Sequence, residues 1–234
     1  NDTTINIRLR TVKAMMNHFI KIEAMDKMPL IEQRKIAKKD PIYIPDEDFR
    51  AMMQIDQLDD FYKRVFLFYR ETGMRLREPF IATLNGSWID IPPETKTKVE
   101  RSIEVSELIK SIFLELKDWQ LNGYGSTIKD PGEHLSKVFK QYFNQVSVNT
   151  NIHFHSLRHT FAVRQILMGV SIYDVKLLLG HASVTTTEQY SNMNLKRVAQ
   201  DFPDLKRPST LMPKMAMEDT VLEGIKGSVS NYLT

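Results

Sequence analysis

Cysteine is absent from this chain of 234 residues, which excludes disulfide staples and thiolate metal ligands and fits a reducing, cytoplasmic setting. No apolar run is long enough to span a bilayer, and the opening Asn1-Asp2-Thr3-Thr4 carries no signal-peptide pattern, so a soluble protein without a membrane partner is expected. Internal repeats and low-complexity tracts are missing as well. Charge of one sign is not in large excess: 32 Lys and Arg stand against 29 Asp and Glu, and a formal +3 does not by itself argue for a polyanion partner. There is no initiating methionine, and the chain begins inside a helical pattern, which reads as the interior of a longer protein.

What is present is helical periodicity. Ile5, Leu9, Val12, Met16 and Phe19 predict an amphipathic helix from about residue 4 to 26. Residues 29–45 set Pro29, Pro41 and Pro45 among Arg34, Lys35, Lys38 and Lys39, an exposed basic connector that either tracks a phosphate backbone or is only a solvated loop. Asp46 is expected to cap a helix through Gln54, and Leu58 to Tyr69 give a second helix that ends near Gly73, with Arg75 and Arg77 directly after it. Asn85-Gly86 marks a type I′ hairpin between Ile81 to Leu84 and Trp88 to Ile91. Pro92-Pro93 ends that strand, and Lys96 and Lys98 lie on the turn into a further run, Arg101 to Val105. Two more helices follow, one capped by Ser106 and one from about Glu133 to Val146. The fold class is therefore mainly α with a small antiparallel sheet.

Residues 153 to 193 read as three short helices packed into one site. Leu157, Phe161, Ile166 and Leu167 define the first, with Gly169 as its stop and His155 and Arg158 at its mouth. Ser171 and Asp174 form a capping-box pattern for the second, and Gly180 ends it, which leaves His181 on the turn. Ser183 is expected to cap the third, which carries Tyr190 near its end.

His155-x-x-Arg158, Leu179-Gly180-His181-x-Ser183 and Tyr190 resemble the C-terminal half of the active site of the tyrosine recombinases, the phage integrase family. Arg75 in Thr72-Gly73-Met74-Arg75 and a lysine in Lys96-Thr97-Lys98 complete the match, with Arg77 and Lys98 as rivals to Arg75 and Lys96. The resemblance implies the catalytic-domain fold of DNA breaking-rejoining enzymes over residues 46–205. Residues 1–28 would be the last helix of a core-binding domain, or a helix that packs on the catalytic domain, and 29–45 a linker, while 206–234 would be a tail and helix that docks either in trans on a neighbouring protomer or in cis. It implies a site-specific recombinase of a mobile element or chromosome, located at the nucleoid, that needs neither cofactor nor metal. Its partners would be specific double-stranded DNA and a homotetramer that exchanges C-terminal segments on that DNA. Tyr190 would attack the phosphate, Arg75, Arg158 and His181 would grip it, His155 would take the phenolic proton, and Lys96 would protonate the leaving 5′ oxygen. Arg34, Lys35, Lys38, Lys39 and Lys98 are candidate DNA contacts.

Other readings exist for the same residues. His153, His155, His159 and His181 could be zinc ligands, but the His155/His159 pair lacks the glutamate of a hydrolytic zinc helix, and His153 and His159 read as hydrogen-bonded structural residues. A topoisomerase of type IB would cleave and rejoin without strand exchange, and an accessory protein would bind DNA without turnover.

Overall fold

A computed structural model describes residues 2–36, 40–93, 100–181, 183, 187–190 and 193–205. The chain divides into two units, Asn1–Lys39 and Asp40–Thr234. In the first, helix α1 (Asp2–Lys21) stops earlier than its apolar pattern suggests. Glu23 adopts a left-handed φ of 58°, and the Ala24 N–H turns back to the Phe19 carbonyl at 2.9 Å, so the chain leaves the helix through a left-handed cap. The following segment is tied to α1 by the Asn6 side chain, which bonds both the N–H and the carbonyl of Arg34 at 2.8 Å.

The second unit runs α2 (Asp46–Met53), α3 (Asp60–Thr72), α4 (Glu78–Ile81), β1 (Thr83–Asn85), β2 (Trp88–Ile91), β3 (Arg101–Glu104), α5 (Glu107–Leu121), α6 (Pro131–Val146), α7 (His155–Leu167), α8 (Ile172–Leu179), a 3-10 turn (Glu188–Tyr190) and α9 (Leu195–Val198). Helix α3 is the centre of packing, because every residue from Val65 to Arg70 is buried. Phe66 meets Phe139 of α6 at 5.3 Å, Phe68 meets Phe113 of α5 at 6.0 Å, and Tyr69 lies edge-on to Phe154 at 4.7 Å. A second cluster joins Phe161 and Leu167 of α7 to Val175 and Leu179 of α8, Tyr190, Val198 and Phe202. Burying this many aromatic and aliphatic side chains is the main term that holds the helices together.

The strands form one antiparallel sheet in the order β1-β2-β3, as expected. The hairpin differs in detail: Asn85 pairs with Trp88, so Gly86 and Ser87 are the two turn residues. Gly86 has a φ of 62° and Ser87 has no positive φ, which is the pattern of a type II′ turn rather than the type I′ that Asn-Gly suggests. Ile81 belongs to α4, not to the first strand.

Asp46 does not cap α2. It lies inside the helix, after Pro45, and its carboxylate is buried against the Arg70 guanidinium, which also stacks over Phe49 at 4.4 Å. The connector is shorter than the prolines suggest, since Ile44 is fully buried and its N–H donates to Thr160 Oγ1 at 2.8 Å. Helix α6 starts at Pro131 because Asp130 accepts from the Glu133 N–H at 3.0 Å and caps it. The expected caps at Ser106 and Ser171 are both present. Among the described residues, no helix is long and apolar enough to cross a membrane. The tail and helix expected beyond residue 205 lie outside the described residues.

Candidate active site

Two helix ends build the floor of the site. Helix α3 finishes on Gly73 with a φ of 61°, and α8 finishes on Gly180 with a φ of 61°. A helix C-terminus leaves carbonyls without intrahelical partners and carries partial negative charge, so it attracts a cation. Here the cations are the two arginines singled out in the sequence. Arg158, on the first turn of α7, donates from Nη1 to the Gly73 carbonyl at 2.6 Å and from Nη2 to the Leu179 carbonyl. Arg75 donates from Nη2 to the Gly180 carbonyl at 3.2 Å. Arg77, its rival, is exposed and paired with Asp130, so it takes no part in this arrangement.

Glu78 fixes Arg75 from below. Its carboxylate accepts from the Arg75 N–H at 2.6 Å, from Arg75 Nη1 at 2.7 Å and from Arg101 of β3 at 3.1 and 2.6 Å. Burial works to raise the Glu78 pKa, but the hydrogen bonds and charges of Arg101 and Arg75 outweigh it and hold the carboxyl below its usual range. Arg158 is buried, which lowers its pKa to about 9 with help from the neighbouring Arg75 charge; it stays charged at neutral pH.

His155 and His181 are held neutral. His155 keeps one exposed face, yet crowding by the protein and the charges of Arg158, His153 and Arg75 push its pKa down to about 4. His181 sits just past the α8 cap and is bonded through Nδ1 to Thr187 Oγ1 at 2.9 Å. Burial, then the Arg158 and Arg75 charges, push it down to about 3. Tyr190 is only 1 % exposed, and burial pushes its hydroxyl up to about 12, against the opposing pull of Arg158 and the Gln189 side chain. His155 and His181 thus lie within electrostatic reach of Arg158 and Arg75, and Tyr190 within reach of Arg158.

The Tyr190 hydroxyl meets a different histidine from the one named in the sequence. The Tyr190 hydroxyl is 2.7 Å from Nδ1 of His159, not bonded to His155, although His155 packs edge-on to His159 with centroids 4.9 Å apart. The sequence marks His159 as a hydrogen-bonded structural residue, and its position one turn after His155 on the same face of α7 is the one signal that points it toward the same site. His153 does bond locally, from Nδ1 to the Asn151 carbonyl at 2.8 Å. Glu78 and Arg101 had no assigned role either, and only the three-residue step from Arg75 to Glu78 hinted at one. Lys96 and Lys98 lie outside the described residues, as do Lys38 and Lys39. Of the other candidate DNA contacts, Arg34 pairs with Asp2 at 2.7 Å and Lys35 is exposed. No three His, Asp or Glu side chains are grouped to hold a metal ion among the described residues.

Comparison with known proteins agrees with this geometry. The chain is 24% identical over 228 residues to the tyrosine recombinase XerC of Pediococcus pentosaceus, an alignment that covers 86% of this chain and 74% of the relative. It is 25% identical over 217 residues to XerC of Chlamydia muridarum, covering 82% and 68%. The fold is similar to that of the XerA recombinase, with a TM-score of 0.54 and 17% identity over 89% of this chain and 77% of that one. It is also similar to lambda integrase in a dimer bound to a COC′ core site, with a TM-score of 0.62 and 15% identity over 82% of this chain and 59% of that one. The sequence pattern of the phage integrase family matches residues 43–197, and the chain belongs to that family.

Proposed function

We propose that this chain is a site-specific recombinase that cleaves and rejoins duplex DNA through a covalent 3′-phosphotyrosyl bond to Tyr190, with neither metal nor ATP. The observation that carries the reading is the convergence of Arg75, Arg158, His155, His181 and Tyr190, separated by up to 115 positions in sequence, around the first turn of α7. A phosphodiester repels nucleophiles by its charge, and its pentavalent transition state gathers more charge on the non-bridging oxygens. Arg75 and Arg158 are fixed in place before DNA arrives, so their charge acts without reorganisation. His181 adds a donor. Tyr190 Oη attacks phosphorus as its proton passes to a histidine of α7, the bond to the 5′ oxygen breaks, and that oxygen leaves with a proton from Lys96. The 5′ hydroxyl of another strand reverses the step, because the phosphotyrosine ester conserves the energy of the broken bond.

Support for duplex DNA as partner comes from the family and from relatives such as lambda integrase, whose solved dimer is bound to a core site. A homotetramer on DNA, with the segment after residue 205 exchanged between protomers, completes the proposal, as does the basic stretch at Arg34, Lys35, Lys38 and Lys39 as a backbone contact.

The test is covalent capture. The full chain is incubated with a random-sequence duplex pool carrying single nicks, in EDTA, and denaturant-resistant adducts are recovered and sequenced. An adduct with one recurring sequence, absent for Tyr190→Phe, supports the reading. No adduct, an adduct that survives Tyr190→Phe, or capture only with added metal overturns it. Relaxation of supercoils without joining of two duplexes would replace strand exchange by topoisomerase action.

A further inference from the structure

Tyr190 and His159 are 31 positions apart, yet the phenolic oxygen and the imidazole Nδ1 lie 2.7 Å from each other. Resting on the phosphotyrosine reading above, we propose that His159 is a catalytic residue, the group that holds the Tyr190 hydroxyl in line and takes its proton as the oxygen attacks. A buried phenol needs a polar partner, and this one sits within the distance over which a base removes a proton in one step. The surroundings favour an imidazole that accepts. Arg158, the cation within reach of Tyr190, has no lone pair to offer, and the Gln189 side chain donates to the phenolic oxygen, so neither takes the phenolic proton.

The resting state keeps the base quiet. Burial comes first, then competition with the neighbouring imidazoles of His155 and His153 for a second positive charge, then the Arg158 charge, and together they hold His159 at a pKa of about 3. A scissile phosphate arriving against Arg158 adds negative charge beside that ring and offsets the arginine, which favours the imidazolium. Proton transfer is thereby coupled to substrate arrival. In the step, the Tyr190 O–H bond breaks and its proton moves to His159 Nδ1, while Nε2 keeps its own. The Oη–phosphorus bond forms, the phosphorus–O5′ bond breaks, and the 5′ oxygen takes a proton from the separate acid. Rejoining runs the same transfers backwards.

His155 occupies the turn before, with its ring edge against His159 and one face exposed, a position from which it can meet phosphate oxygens rather than the phenol.

The experiment uses the duplex recovered by covalent capture, made with either an ordinary 5′ oxygen or a 5′ sulfur at the scissile position. A thiolate leaves without a proton, so sulfur rescues defects on the leaving-group side and not those at the nucleophile. Single-turnover adduct formation is measured for the parent, His159→Ala and His159→Asn. Asparagine presents a hydrogen-bonding atom near the Nδ1 position but cannot hold the proton. Expected is a loss of roughly a hundredfold or more for both variants on both substrates, with DNA retention and melting temperature of His159→Asn unchanged. A His159→Asn rate within about threefold of the parent overturns the proposal, because a structural bond alone would then suffice. Rescue of either variant by sulfur also overturns it, and moves His159 to the leaving-group side. If the parent itself forms no adduct, the phosphotyrosine reading fails and this one with it; if only the variants match the parent, this inference alone fails.

Discussion

Arg158 Nη1 donates to the Gly73 carbonyl at 2.6 Å, so an active-site guanidinium is seated on the end of the helix that forms the centre of the core. Its second donor goes to the Leu179 carbonyl at the end of α8. One side chain thereby locks the ends of two helices together, and the same contacts aim it. On the proposed reading, stability and catalysis are coupled at this point: whatever loosens either helix end would misplace the charge assigned to the phosphate.

The first prediction concerns the two capping glycines. A Cβ on Gly73 would stand 2.5 Å from Phe161 Cδ1, and one on Gly180 would stand 2.7 Å from Arg101 Nη1, each at a φ of 61°. Gly73→Ala should cost more than the ~1–2 kcal/mol of the left-handed backbone alone, because a ring in the core must move. Gly180→Ala meets the end of the Arg101 side chain, which can move only at the expense of its bonds to Glu78, and should cost less than displacing a core ring but more than the backbone effect alone. Gly86→Ala is the control: its φ is 62°, but nothing lies within 4 Å. Urea unfolding of the three variants should rank them in that order, and equal losses at Gly73 and Gly86 would contradict the steric argument.

Glu78 sits between two arginines with 3 % of its side chain exposed. Glu78→Gln keeps the shape but removes the charge and turns an amide toward a guanidinium. The expected cost is about 3–5 kcal/mol, the usual result of breaking a buried pair from one side. Because the folded pKa of Glu78 is depressed, its contribution is present above the unfolded carboxylate value of about 4.3 and is lost as pH falls below it. The gap in urea midpoint between parent and variant should therefore be full at pH 7 and narrow below about pH 4. A gap that does not change with pH would mean that the carboxylate charge is not what matters.

Much of this architecture is legible in the sequence, for local reasons. Ser106, Ser171, Gly73 and Gly180 mark helix ends through chemistry that acts within a few residues, and the structure has helix ends at each. Arg75, His155, Arg158, His181 and Tyr190 could be paired in advance only by their resemblance to a family, since no spacing rule brings residue 75 to residue 180. The misreadings share a cause in long-range contacts. Asp46 looks like a cap until Arg70 claims it from another helix. Ile44 looks like linker until Thr160 binds its N–H. Nothing in the sequence pairs His159 with Tyr190, 31 positions away, yet the two side chains are bonded.

Three histidines make stability depend on acid. His155, His159 and His181 are held at pKa values of about 4, 3 and 3, below the ~6.5 of an unfolded chain. Between those values the unfolded state binds more protons than the folded one, so stability falls as pH falls through the window from about 6.5 to 4. The urea midpoint should drop steadily across it. His181→Asn removes one of the three and should flatten the slope by roughly a third, without moving the midpoint's behaviour above pH 7. A parent midpoint that stays level down to pH 4.5 would show that these imidazoles protonate freely in the folded chain.

Lys96 and Lys98 are separated by the nature of the leaving group. A departing 5′ alkoxide is a very strong base and needs a proton as it leaves, whereas a thiolate, with a conjugate acid near pKa 8.5, leaves unaided. Lys96→Ala should slow adduct formation on the ordinary duplex by roughly a hundredfold or more and return close to the parent rate on the 5′-sulfur duplex. Lys98→Ala should cleave both at nearly the parent rate, and its DNA affinity should depend less steeply on salt, because a phosphate-contacting lysine releases about one counterion. The reverse pattern would assign the acid to Lys98. A Lys96→Ala defect that sulfur does not relieve would mean that this lysine holds the phosphate instead of protonating the leaving oxygen.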